Sequence, residues 1–464
     1  VKSTLSRRDF LKAAAMTGGV AALAACAVPA APGAEGGESE AAMAPVEIQW
    51  WSFPLGLPGD ILPHGTWEQE RADVYSDMTE GVTITYQAVG WDSIVKVQTS
   101  IASGNPPHTV LRASVDGIIQ ALQSDVAVEI ELPQEFQDDL PAGWYEGMHF
   151  RGKNYMVPFY TLANGMVLNL DIVEEAGADH LLPQGPARTW DFDTYLAMMK
   201  ACTFERDDGS QVWGGVFSAA ETNPFFYWPD QVLSWNWGTD TVELRDGEWV
   251  CKLAEEEGLA WLQWLQDLYF VHEVIPNPSG LSASRWDYFF QKSLLGGIGP
   301  SIGWTQRPGV EVDPVSLVVT DTEREINWMF VQPPTNPGVD HSLYWGGPNL
   351  DVNSIVYRAG GDNEIGPSID FALWLSNREN QKWIAEYLLP ARVSAVEGVD
   401  NPMLEWHYEH YIPYGRQRAS AHGGRARETV EQLELVHQKI FLPTPPEEAV
   451  RDFCDTIAKL DWYV

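Results

Sequence analysis

The chain has 464 residues, 45% of them hydrophobic and 20% charged, and its 65 acidic against 29 basic side chains leave a formal net charge of -36. A field of that sign repels nucleic acid and anionic lipid headgroups, which argues against a nucleic-acid partner, and the length suffices for a sizeable core and more than one domain. The 4 cysteines show no C-x-x-C spacing, so neither a zinc site nor a redox dithiol is expected.

Ser6-Arg7-Arg8-Asp9-Phe10-Leu11-Lys12 is followed by an uncharged, alanine-rich segment from Ala13 to Ala25, the layout of a twin-arginine export signal. Leu23-Ala24-Ala25-Cys26 fits a lipobox and makes Cys26 the expected lipidation site. As a helix this segment would reach about 20 Å, short of the roughly 30 Å hydrocarbon core, so a membrane span is not expected. Residues 1–26 are therefore read as signal, and 27–44, rich in Ala, Pro, Gly and Glu, as a flexible tether. Resemblance to such signals implies export of an already folded chain, held at the outer face of a membrane by lipid on Cys26. Beyond Cys26, the thiols of Cys202, Cys251 and Cys454 allow one disulfide with one cysteine left over, or three buried thiols.

From Val46 the pattern alternates. Val46 to Trp51 reads as a first strand, with Trp50 and Trp51 on opposite faces, and ends in a Gly/Pro-rich loop. Thr66 to Met78 has helical spacing, Val82 to Ala88 is strand two, Trp91 to Ala102 a helix and Thr109 to Arg112 strand three. Asp116 to Ser124 is helical and Val126 to Leu132 an exposed strand or loop. Such β-α-β-α order predicts a layered α/β unit, in which ligands sit beyond the carboxyl ends of the strands, where Trp51 and Ser52 lie. Tyr155 to Tyr160 is extended because of Pro158, Val167 to Leu170 is another strand, and Asp171 is the expected cap of a helix ending at Gly177. Further on come helices starting at Thr189-Trp190-Asp191, at Glu255 to Tyr269 with Trp261 and Trp264 toward the core, at Gly366 to Tyr387 and at Glu428 to Leu460, and a strand at Ile326 to Val331.

Several of these segments resemble the bacterial extracellular solute-binding proteins of the carbohydrate-binding, maltose-binding-like type. The similarity rests on Arg151-Gly152-Lys153-Asn154-Tyr155 with Pro158, on Ala102-Ser103-Gly104-Asn105-Pro106-Pro107, on Phe289 to Gly299 running into Gly303-Trp304, and on Gly346-Gly347. Its most specific part is Phe371 to Ile384 followed by Leu389-Pro390-Ala391-Arg392. His108 stands where that family usually has Asp. The resemblance implies an α/β, two-lobed periplasmic-binding-protein fold of the class II type, with lobe 1 from 45–160 and 347–390 and lobe 2 from 161–346 and 391–464. It implies hinge strands near Tyr160 and Gly346 and a ligand site drawn from Trp51, Ser52, Ser114, Tyr160, Trp228, Trp235, Trp237, Trp304, Trp345, Gly346 and Arg392. It also implies a monomer that hands a mono- or oligosaccharide to the membrane permease of an ABC importer.

No G-x-S-x-G elbow, H-E-x-x-H, Walker loop or G-x-G-x-x-G occurs, so neither catalysis nor a cofactor is expected; the acidic clusters leave a calcium site open, although no D-x-D-x-D-G loop occurs. A secreted glycoside hydrolase, which needs two carboxylates facing each other across the sugar, and a binder of a polyol, peptide or glycerol phosphate are the alternatives. A phosphate ligand would call for more basic residues than this composition offers.

Overall fold

The computed structural model describes residues 45–52, 65–89, 93–111, 115–161, 165–215, 228–276, 285–299, 302–336, 344–345, 352–416 and 423–462. Cys26, Ser114 and Gly346 lie outside the described residues, as do the side chains of Trp228 and Trp345.

Period-two alternation places Val46, Ile48 and Trp50 of strand β1 (Val46–Ser52) in the core and leaves Glu47 and Gln49 exposed. Strands β2 (Val82–Ala88) and β3 (Thr109–Leu111) flank β1 in parallel. Strand β4 (Met156–Thr161) is buried along its whole length. Its Pro158 has no N–H to give to a ladder, and there the pairing slips: Tyr160 faces Val352 but Pro158 faces Asn353, leaving Phe159 as the extra residue of a bulge. Strands β5 (Met166–Asn169), β6 (Gly296–Ile298), β7 (Val310–Val312), β8 (Val318–Asp321) and β9 (Ile326–Val331) make a second sheet in the order β6-β5-β9-β8-β7, antiparallel throughout. A Cβ on Gly296 would stand 2.0 Å from the carbonyl oxygen of Val167, so only glycine lets β6 lie this close to β5. Strand β10 (Tyr344–Trp345) pairs outside both sheets, and β11 (Val352–Val356) and β12 (Leu389–Pro390) return to the first, whose order is β12-β4-β11-β3-β1-β2.

Helix α1 (Thr66–Met78) packs Trp67 and Tyr75 against Phe159 of β4 and against Phe371, Trp374 and Trp383 of two later helices. In the second sheet's core, Trp235 of α2 (Trp228–Trp237) and Trp261 and Leu265 of α3 (Glu256–Phe270) are buried with Met166 and Leu168 of β5. Trp264 is half-buried and stacks on Trp261 with ring centres 5.3 Å apart. After α4 (Arg285–Phe290) in the chain, the helical segment packed on the first sheet divides into α5 (Asp362–Leu375) and α6 (Arg378–Ala385). The expected single helix breaks because the Asn377 side chain caps α6, accepting from Asn380 N–H at 2.9 Å. After α7 (Pro402–His410) the tail forms α8 (Ala426–Ile440) and α9 (Arg451–Ile457), separated at Pro445-Pro446, which place Val436, Ile440, Phe453 and Ile457 in the second core. Asn169, not Asp171, caps the helix after β5, accepting from Ile172 N–H. Residues 126–132 are not exposed throughout: Val128 and Ile130 N–H groups donate to Val356 and Asn154, and Val128, Ile130 and Leu132 are buried.

Cys251 and Cys454 form a disulfide that joins α9 to the chain just before α3, and Cys202 is a buried free thiol. Trp249 and Trp462 stack beside it at 4.6 Å. His108, in place of the family's Asp, accepts the Gln49 N–H at Nδ1 (3.0 Å), which leaves Nε2 as the protonated nitrogen, 2.8 Å from Glu364 of α5. The histidine thus ties β1 to the first turn of α5. No helix among the described residues is long and apolar enough to cross a membrane.

Candidate functional site

The chain runs from the first sheet to the second between β4 and β5, back again from β9 through β10 to β11, and across once more after β12. A third core cluster runs from Val97, Ile118 and Phe136 through these passages, combining Val157 and Ile355 of the first sheet, Val167, Trp328 and Phe330 of the second, Trp406 of α7 and Tyr411 just after it. Tyr411 is its pin. Its hydroxyl accepts from Met166 N–H at 3.2 Å and donates to the Val331 carbonyl, holding the exit of one passage to the entry of the next. A Cβ on Gly165 would come 2.6 Å from the Phe330 ring and 3.4 Å from the Tyr411 oxygen, so the close approach requires glycine. Arg188 is buried; its guanidinium donates to the carbonyls of Phe330 and Ser316 and lies 5.5 Å from the Trp406 ring centre. Burial pulls its pKa down, and the Tyr411 hydroxyl opposes that pull. Gln332 donates to the His410 carbonyl at 2.6 Å, and the Trp406 indole N–H donates to Pro186 at 2.8 Å. His407, also fully buried, is pushed down to about 4 by burial, against the pull of its bond to Met403.

Two of the sequence-derived ligand residues lean on this same cluster. Trp51, at the carboxyl end of β1, is half-buried against it, while Trp50 on the opposite face is fully buried in the first sheet's core. Trp304 sits in the turn Ile302–Gln306, its ring stacked on Phe290 at 5.0 Å and edge-on to Trp286 at 5.0 Å. The Arg307 guanidinium lies 4.7 Å from the same indole. A Cβ on Gly299 would stand 2.0 Å from Trp286, which explains a glycine there. Trp304 is therefore part of the packing as well as partly open.

A second group gathers around Asp240. Helix α2 carries Trp228, Trp235 and Trp237, and β10, which contains Trp345, pairs in parallel with β13 (Gly415–Arg416), placing Trp345 opposite Arg416. The buried Asp240 carboxylate accepts from Gln231 Nε2 (2.8 Å), Thr241 N–H (2.7 Å), Trp235 Nε1 (3.0 Å) and Arg416 Nη2 (3.0 Å). Burial raises its pKa, and Arg416 is the strongest of the forces acting against that rise.

The remaining residues are placed elsewhere. Ser52 is fully buried at the end of β1, and Tyr160 is fully buried beside Phe159. Trp237 packs edge-on to Phe192 at 5.0 Å and against Trp261 and Trp264. The Arg392 guanidinium is taken by Asp139 at 2.7 Å and lies 4.5 Å from the Phe136 ring, and Ser394 closes on the same carboxylate. Those donors hold the Asp139 carboxyl below the usual range despite burial, the largest single influence. Arg416, Asp240, Tyr411 and Arg188 were not among the sequence-derived candidates. Tyr411 bonds Val331 80 positions away and Arg416 bonds Asp240 176 positions away, and no local pattern signals such pairs. Among the described residues no group of three or more His, Cys, Asp or Glu could hold a metal ion.

Residues 62–295 match the family described as bacterial extracellular solute-binding protein, and residues 4–24 match the twin-arginine translocation signal. No curated protein matches in sequence. Among solved structures, an ABC transporter solute-binding protein of Thermotoga lettingae bound with tagatose superposes with a TM-score of 0.64 at 15% identity, over 89% of this chain and 99% of that one. A substrate-binding protein of Listeria monocytogenes in complex with cycloalternan gives 0.63 at 17% identity, over 89% and 98%. The Thermus thermophilus maltotriose-binding protein gives 0.61 at 17%, over 89% and 99%. At such identities the likeness is one of fold: two-lobed and mixed α/β.

Proposed function

From a chain that belongs to the bacterial extracellular solute-binding proteins and carries a twin-arginine signal, we propose a carbohydrate-capturing lipoprotein that serves an ABC importer. One lobe is built on the first sheet, from 45–160 and 347–390, with 392–396 held to it by Asp139; the other is built on the second sheet, from 161–346 and the rest of the tail. The lobes close about the passages that Tyr411 pins, and a saccharide lies between them against indole faces. The observation that carries this reading is that Trp51, at the carboxyl end of β1, and Trp304, in the turn after β6, both stand half-buried against one hydrophobic cluster that draws on both sheets. Relatives solved with tagatose, cycloalternan and maltotriose support a sugar as the cargo. Trp51, Trp304, Trp228 and Trp345, with Ser114 and Gly346, serve as the contact set, while Ser52, Tyr160, Trp235, Trp237 and Arg392 support it from behind. Binding without turnover is the activity, and lipid on Cys26 anchors the exported chain at the outer face of the membrane.

A thermal-shift screen over mono- and oligosaccharides tests the reading. A sugar at 100 times its dissociation constant stabilises the fold by about 2.7 kcal/mol. Small-angle scattering with that sugar should show compaction, and chromatography should return the sugar uncut. A panel in which no saccharide shifts the melt, or in which one is hydrolysed, overturns it. Cys26→Ser should leave the protein soluble after export.

A further inference from the structure

The geometry points to Arg416 as a ligand-contacting residue that selects neutral sugars over acidic ones, its charge cancelled from behind by Asp240. This rests on the carbohydrate reading above and adds to it the class of sugar and the residue that chooses it.

Three observations carry the inference. First, Arg416 stands in backbone register with Trp345, across the short parallel pair of β10 and β13. Second, the arm is fixed. Nη2 is bound to Asp240 at 3.0 Å and the guanidinium lies 5.2 Å from the Trp235 ring centre, while Asp240 is itself gripped by Gln231, Trp235 and Thr241. A donor fork held in this way loses little conformational freedom when it meets a ligand oxygen. Third, the fork is only partly used. The Arg416 side chain keeps 41% of its surface exposed, against 2% for Asp240, and Nε and Nη1 make no bond within the described structure.

Charge decides what such donors prefer. A lone guanidinium in a site favours carboxylate or phosphate through a charge-assisted fork. Here the nearest full negative charge already sits behind it, and the chain as a whole carries -36, so an incoming carboxylate finds no net attraction and meets a repelling field. A hydroxyl or ring oxygen still accepts the N–H bonds and brings no charge of its own.

Titration calorimetry on the full mature protein tests this with glucose, maltose, maltotriose, cellobiose and xylobiose as neutral probes and glucuronate and digalacturonate as acidic ones. The parent should bind a neutral probe, and Arg416→Met should weaken it at least tenfold. Arg416→Lys, which keeps the charge beside Asp240 but not the fork, should also weaken it. Asp240→Asn should move the neutral-to-acidic affinity ratio at least fivefold toward the acidic probes, and Asp240→Asn combined with Arg416→Met should lose affinity without that move. The double variant also leaves no buried charge unpaired, so it is read in place of Arg416→Met if that variant does not fold. A parent that binds none of the saccharides refutes the carbohydrate reading itself. A parent that prefers glucuronate or digalacturonate, or neutral binding unchanged in the Arg416 variants, refutes only the role of Arg416.

Discussion

Acidification should unfold this protein from the inside, through His407, well before its surface carboxylates are all protonated. The imidazole is fully buried in α7, stacked near-parallel on Tyr411 at 5.2 Å and edge-on to Phe330 at 4.9 Å. Nδ1 lies 2.8 Å from the Met403 carbonyl and must therefore carry the proton, while the lone pair on Nε2 has no partner. Arg188, and His410 when it carries a proton, oppose a positive charge there. Burial, the largest cause, together with them, depresses the pKa from 6.5 to about 4. The unfolded chain thus takes up this proton first as pH falls below 6.5, so stability is full above that value and drains away as pH drops toward 4. At 1.36 kcal/mol per unit the loss is roughly 3 kcal/mol. His437, likewise depressed to about 4 by burial, adds a similar amount, and together they are comparable with the whole stability of many domains. His407→Phe fills the same space, removes the unpartnered lone pair and cannot titrate, so it should be within about 1 kcal/mol of the parent at pH 7.5. Urea unfolding followed by tryptophan fluorescence at pH 7.5 and 4.5 measures both. The parent should lose roughly 3 kcal/mol more than His407→Phe between the two pH values; equal losses would falsify the assignment.

Tyr411→Phe strips a buried partner from Met166 N–H and from the Val331 carbonyl and should cost about 1–3 kcal/mol, read from chemical denaturation, with faster hydrogen exchange at Met166. Cys251→Ser with Cys454→Ser opens a closure spanning 203 positions; a loss of about 2–4 kcal/mol, early proteolysis after Ile457 and unchanged sugar affinity are expected. Trp304→Ala removes an indole from among Phe290, Trp286 and Trp328 and should lower stability by about 3 kcal/mol. It should also lower sugar affinity at least tenfold, about 1.4 kcal/mol, and intact stability with unchanged affinity would remove Trp304 from both roles.

What could be read in advance was whatever is decided by neighbours in sequence. Thr66–Met78, Val82–Ala88 and Ile326–Val331 stand where apolar spacing places them, because alternation and helical period are local properties. The break at Ser376-Asn377 was hidden, since an asparagine in a polar run looks the same whether it faces solvent mid-helix or caps the next helix. Arg392 belongs to the segment most like the family, yet its partner Asp139 is 253 positions earlier, and only the folded chain shows that its guanidinium is already engaged. Gln231, Trp235 and Thr241 are close to Asp240 in sequence, but Arg416 is 176 positions later, so its part in the group shows only in the folded chain.

The pairing order of the first sheet has a consequence for how the protein is made. Strand β11 fills the gap between β3 and β4 and bonds to both, yet it begins at Val352, long after the ribosome has finished Thr161. Until then two strand edges, one of them the wholly buried β4, stand open to any other chain, and an open apolar edge is a template for misassembly. Contacts so distant in sequence also form slowly. A route that threads chains across the membrane during synthesis would release those edges one at a time on the far side. The twin-arginine signal assigns the chain to a route for finished proteins, so the late strand is in place, and the edges are closed, before the journey starts.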